Sequence, residues 1–207
     1  TPGFIAADVT GRRVQNWLYA YLFFVLRGAG APLPLAFHER LLASLDEQVE
    51  YLCTHLTPKR NHRTLELYAI FLASVAFPEF ARAADWQRFA LAGLVANAES
   101  DLLPDGVHCE LSTDYHHLVL KNCLCVRRLA AMNGIAVPES FDRRLTAALD
   151  FSMHVHKPDG IVPSLSDGDA RGYLDLLRQG HALFAREDWL YVATGGIAGR
   201  APAAPGA

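Results

Sequence analysis

Two short segments concentrate side chains that can hold an anion and move a proton. One is Arg60-Asn61-His62-Arg63-Thr64-Leu65-Glu66-Leu67-Tyr68; the other runs from Asp105-Gly106 through Glu110-Leu111-Ser112-Thr113-Asp114-Tyr115-His116-His117. Each opens what otherwise reads as an apolar, amphipathic helix, and a helix opening presents free backbone N–H groups that favour anions. Asn61 offers an amide donor and His62 a second donor or a proton acceptor. Tyr115 offers a phenol as general acid or base, with an ordinary pKa of about 10 that nearby cations would have to lower. His116, His62 and Arg63 are the candidates to supply that field. Side by side, Asn61, His62, Tyr115 and His116 would hold a carboxylate and transfer a proton, chemistry suited to an acidic sugar.

Plainer roles exist for the same residues. Asn61 follows Pro58 and precedes an apolar run, so it suits a helix N-cap. Tyr115 follows the capping sequence Ser112-Thr113-Asp114, shares a stripe with Leu118, Asn122, Cys125 and Leu129, and suits a core aromatic with a wet hydroxyl. Lys59, Arg60, His62 and Arg63 form a basic cluster that reads equally as a solvated helix start.

The elements that must position these residues are helical nearly throughout. Val14, Trp17, Leu18, Tyr21, Leu22 and Val25 recur at helical spacing before Gly28-Ala29-Gly30. Further helices are predicted from about Leu35 to Leu56, His62 to Ala76, Glu79 to Ala98 and Ser112 to Met132. Pro138 opens another that ends near His156, 161–172 reads as a loop, and Leu174 to Val192 supplies one or two more. No alternating strand pattern is present, so the fold class is all-α. Helices joined by short loops suggest antiparallel hairpins, in a ring or in a bundle; periodicity does not choose between them.

The chain of 207 residues is 51% hydrophobic, enough for a well-buried core. Its 19 Lys+Arg against 22 Asp+Glu create no global field that would select nucleic acid or an anionic membrane. The longest apolar run, Trp17 to Leu26, is about ten residues, too short to span a bilayer. Cys53, Cys109, Cys123 and Cys125 show neither a disulfide framework nor a zinc spacing, and read as buried thiols. Cys123 and Cys125 would point roughly 200° apart on a helix, and His154 and His156 fail as a metal pair for the same reason. No secretory signal pattern is visible at Thr1-Pro2-Gly3-Phe4. Residues 194–207, rich in Gly, Ala and Pro, read as a flexible tail after a domain over 1–193, and both ends read as cuts in a longer chain.

Several segments together resemble the heparinase II/III family of polysaccharide lyases. They are Asn61 to Tyr68, Phe77-Pro78-Glu79, Asp105-Gly106 with Glu110 to His116, Pro158 to Pro163 with Asp167-Gly168-Asp169, and Leu176 to Phe184. They fall in the family's order over roughly residues 10 to 193. The resemblance implies an α/α toroid, here incomplete, with the family's C-terminal β-sandwich domain absent from this chain. It implies β-elimination of a uronate-containing polysaccharide, with Asn61 and His62 neutralising the carboxylate and Tyr115 as the acid, in some substrates the base. Arg63, Glu110, His116 and Asp167 would bind or orient substrate. Asp167 also suits a tight turn held by Asx side chains.

The elimination needs donors aimed at developing negative charge and a proton shuttle, and neither requires a metal or cofactor. The expected partner is an acidic polysaccharide, with no nucleic acid and no membrane insertion, and the resemblance favours a periplasmic or secreted setting. A non-catalytic carbohydrate-binding or scaffold domain of lyase ancestry is the alternative. A glycoside hydrolase working through Glu110 and Asp167 is a third possibility.

Overall fold

A computed structural model of the chain describes residues 6–28 and 32–203. Eight α-helices are present among them: α1 Ala7–Tyr21, α2 Leu35–Thr54, α3 Arg60–Ala76, α4 Ala83–Asp101, α5 Thr113–Met132, α6 Glu139–Val155, α7 Leu174–Phe184 and α8 Glu187–Ala193. A π-helical run, Leu22–Leu26, continues α1. Isolated bridges, Leu102 with His108 and Ile161 with Gly172, are the β pairing among the described residues. The chain divides into two compact units within α4, after Leu94.

In the first unit α3 is the central helix. Thr64 to Ser74 are all buried, a helix enclosed on every side. Val14 and Leu18 of α1, Leu45, Val49 and Leu52 of α2, and Trp86, Ala90 and Leu94 of α4 supply the rest of this core. Gly11 lets α1 lie close to α3: a Cβ there would meet Leu65 Cδ2 at 2.9 Å. The fourth helix begins at Ala83 rather than at Glu79, because tight turns follow Pro78, with Phe80 N donating to Phe77 O (3.2 Å) and Ala83 N to Phe80 O (2.9 Å).

In the second unit α5, α6, α7 and α8 bury Leu120, Leu124, Phe141, Leu145, Leu149, Leu176, Leu177 and Trp189. Trp189 Nε1 donates to Asp150 Oδ1 at 2.8 Å, so the buried indole keeps a partner for its N–H. The 161–172 loop is closed by Lys157 N donating to Ile161 O (3.1 Å) and Val162 N to Arg171 O (2.9 Å). Beyond α8, Arg200 N donates to Glu187 O at 3.1 Å. Residues 204–207 of the expected tail, and Ala29-Gly30 after the first helix, lie outside the described residues.

No disulfide forms among the described residues. Of the four thiols read as buried, only Cys123 is; Cys53 and Cys125 are half-buried and Cys109 is exposed. Cys109 lies in the loop before α5, where no helix packs it into the core.

Candidate functional site

The first polar opening is the start of α3. The N-cap is Lys59, in extended conformation and without a side-chain capping bond. Asn61 is therefore not the cap: it lies inside the first turn, 8% exposed. The helix starts two residues earlier than read, at Arg60, whose φ of 74° is left-handed. A non-glycine residue there costs about 1 kcal/mol or more, a kind of strain found at functional sites. His62 is exposed, and its Nδ1 lies 3.5 Å from Asp8 Oδ2 in the first turn of α1. Arg63 Nη1 donates to Thr57 O at 3.1 Å. Glu66 accepts from Thr57 N (2.7 Å) and Thr57 Oγ1 (2.6 Å), and its burial pushes the carboxyl above its ordinary range. Arg63 and Glu66 together anchor the residue from which the chain enters α3.

The second opening is the start of α5, and here the capping sequence works as read. Ser112 is the N-cap, its Oγ accepting from Tyr115 N at 3.3 Å and donating to Asp167 O at 3.0 Å. Thr113 Oγ1 donates to Pro163 O (2.6 Å) and accepts from Leu165 N (3.3 Å). These bonds dock the 161–172 loop on the helix start. Gly168 permits the approach, since a Cβ there would meet Asp114 Cβ at 2.6 Å and Ser112 Oγ at 2.8 Å. Leu111 (φ 53°) and Ser166 (φ 58°) are left-handed on either side of the joint.

The docking brings Tyr115 and Asp167 together. The phenol donates to Asp167 Oδ2 at 2.8 Å, so Asp167 does more than hold its own turn. That bond, with the charges of Asp167, Glu110 and Asp114, pushes the Tyr115 pKa up. The expected lowering by His116 does not occur. His116 is 1% exposed, packed edge-on against Phe151, with Nε2 donating to Ala148 O at 3.2 Å. Burial and the neighbouring His117 push its pKa down to about 3, so it is uncharged at neutral pH. Glu110 Oε2 lies 3.6 Å from His108 Nδ1.

Sequence reasoning passed over the polar layer beneath Tyr115. His117 Nδ1 donates to Thr113 O (2.5 Å), its Nε2 accepts from Ser152 Oγ (2.9 Å), and its ring stacks on Tyr173 at 4.3 Å. Tyr173 OH donates to Asp114, and Arg171 Nε lies 3.7 Å from the same carboxylate. His117 beside His116 was the available signal; Tyr173 and Ser152, far along the chain, gave none. Neither opening gathers three metal-ligating side chains. The one such group among the described residues is Asp101, His108 and Cys109, between α4 and α5.

The described helices make an all-α domain, and the comparisons give its class, the α/α toroid of the heparinases. Residues 8–190 match the family described as Heparinase II/III N-terminus. The chain belongs to the heparinase II/III family. A heparin-sulfate lyase from Pedobacter heparinus is 34% identical over 104 residues, which are 50% of this chain and 15% of that protein. A crystal structure of a heparan sulfate lyase HepC mutant from Pedobacter heparinus aligns with a TM-score of 0.78 and 26% identity, over 95% of this chain and 31% of that one. A crystal structure of heparinase III aligns with a TM-score of 0.85 and 21% identity, over 98% and 34%. The chain thus spans about a third of the length of these solved relatives.

Proposed function

We propose that the chain is the N-terminal part of a polysaccharide lyase that cleaves a uronate-containing polysaccharide by β-elimination. Family membership and relatives named as heparin-sulfate and heparan sulfate lyases support the acidic polysaccharide. In this reaction a general base takes the C5 proton, the C–H electrons form the C4–C5 double bond, and the C4–O bond breaks as a general acid gives the departing glycosidic oxygen a proton. Asn61 and His62 neutralise the uronate carboxylate, so that charge developing at C5 spreads into it at lower cost. Arg63 helps to hold the anion, and Tyr115 gives its proton to the leaving oxygen. His116, enclosed in the core, supports the Tyr115 helix instead of meeting the sugar.

The observation that carries the acid role is the Tyr115–Asp167 hydrogen bond. A phenol so held keeps its proton at neutral pH and is exposed enough to exchange the carboxylate for a leaving oxygen. Asp167, already engaged by Tyr115, and Glu110, beside His108, fit supporting roles better than the paired roles of a hydrolase.

The test uses the complete protein that carries this domain, with the near-ultraviolet absorption of unsaturated uronate as readout. Tyr115→Phe should lose turnover by about a hundredfold or more and keep substrate binding. Asn61→Ala should also lose turnover per folded molecule, a loss that capping does not explain because Asn61 lies inside the first turn and Lys59 occupies the N-cap position. Undiminished elimination by Tyr115→Phe would remove the phenol from the mechanism. Binding without the chromophore in the unsubstituted protein would leave a carbohydrate-binding domain, and cleavage without it would indicate hydrolysis.

A further inference from the structure

We propose that Asp101, His108 and Cys109 form a zinc site that ties the end of α4 to the segment leading into α5. It is independent of the lyase reading. The three side chains offer a carboxylate oxygen, an imidazole nitrogen and a thiol sulfur, all within 4.8 Å of one another. Ligands around tetrahedral zinc lie about 3.5 Å apart, given zinc–ligand bonds of about 2.0 to 2.3 Å. Side-chain adjustments of about an ångström would therefore close the group on an ion.

The backbone already holds the three residues in place. Asp101 is the last residue of α4, and Cys109 N donates to Asp101 O at 2.8 Å. Leu102 and His108 are bridged, and Leu103 N donates to Val107 O at 2.8 Å, so the connecting loop is closed on itself. Gly106, with φ of 88°, presses this loop against α6, where a Cβ would run into the Ala147 carbonyl. A site built on such a closed loop pays little ordering entropy when the ion arrives.

Burial and ligand type favour a soft or borderline ion. Asp101 is 4% exposed and His108 wholly enclosed, whereas Cys109 is at the surface and gives the ion a way in. A thiolate–imidazole–carboxylate set suits zinc; calcium and magnesium prefer oxygen alone. Glu110 lies against His108 Nδ1, with its backbone N at 3.4 Å and its carboxylate at 3.6 Å; on metal binding a protonated Nδ1 donating to that carboxylate would orient the ring and turn Nε2 to the ion. Binding would release the Cys109 thiol proton to solvent, and water would fill the fourth position. Such an ion would brace the segment that carries Glu110, Ser112 and Tyr115.

The experiment takes the whole chain, stripped with a chelator, and adds zinc or cobalt(II). One equivalent of zinc should bind and raise Tm, and cobalt should show thiolate-to-metal charge-transfer absorption. Cys109→Ser, a change at an exposed position, should abolish that absorption and weaken binding by about tenfold or more, while Cys125→Ser should leave both unchanged. Asp101→Asn should weaken binding comparably. Failure to take up one equivalent, or a charge-transfer band that survives in Cys109→Ser, would overturn the site.

Discussion

A phenol that donates to a carboxylate parts with its proton reluctantly, because the anion it would become faces a like charge. Tyr115 is in that position beside Asp167. Asp167→Asn should therefore let Tyr115 ionise at lower pH, nearer the ordinary value of about 10. A difference titration of tyrosine absorbance, using Tyr115→Phe to isolate the residue, measures this; an unchanged titration would show that the hydrogen bond does not control the phenol. At this scale the residue types were legible and their pairings were not. Tyr115 and His116 are neighbours in one motif, yet the phenol faces solvent and the imidazole faces the core. Helix phase decides that, and phase is read only against the elements packed on either side.

Helix starts and close helix contacts follow their own rules. Ser112 caps α5 and also holds the 161–172 loop through Asp167 O. Ser112→Ala should cost about 1 to 2 kcal/mol in chemical unfolding and loosen the loop; a loss of only a few tenths would reduce Ser112 to a passive linker. Gly180 sets two effects against each other. Alanine in mid-helix gains about 0.5 to 1 kcal/mol over glycine. Here its Cβ would meet Leu149 Cδ1 and Cδ2 at 2.8 Å and Trp189 Cε3 at 3.1 Å, among side chains with no exposed surface to retreat into. Overpacking, at about 1 to 3 kcal/mol, wins, so Gly180→Ala should lower Tm. Element boundaries were read from periodicity to within a turn for α2, α3, α5 and α6. The stripe from Val14 left the start of α1, at Ala7, unread, and the reading failed at α4, where turns after Pro78 displaced the helix start. Periodicity records a buried face and is silent about how a chain enters its first turn.

Enclosed histidines, His116 and His117 with half-buried His156 beside them, make stability depend on pH. Burial depresses His116 to about 3 and His117 to about 4, against an ordinary 6.5. The unfolded chain then binds more protons than the folded one between these limits, so stability rises with pH across that window and is lost as pH falls through it. Unfolding by urea should show a smaller stability at pH 5 than at pH 7. In His116→Phe that difference should shrink, even if the variant is less stable at both pH values through loss of its bond to Ala148 O. An undiminished difference would place the acid sensitivity elsewhere.

The sequence by itself determined the helical class, most helix positions, the capping role of Ser112 and the family, since each rests on local spacing or on motifs in order. Tertiary structure alone decided that the α3 cap falls on Lys59, that Tyr115 meets Asp167, and that His116 and His117 are sealed in the core. It also brought Asp101 back to His108 and Cys109. Local order follows from the chemistry of a few successive residues. Protonation state, pairing and burial depend on groups brought close only when the chain is packed, and neither residue type nor spacing records that proximity.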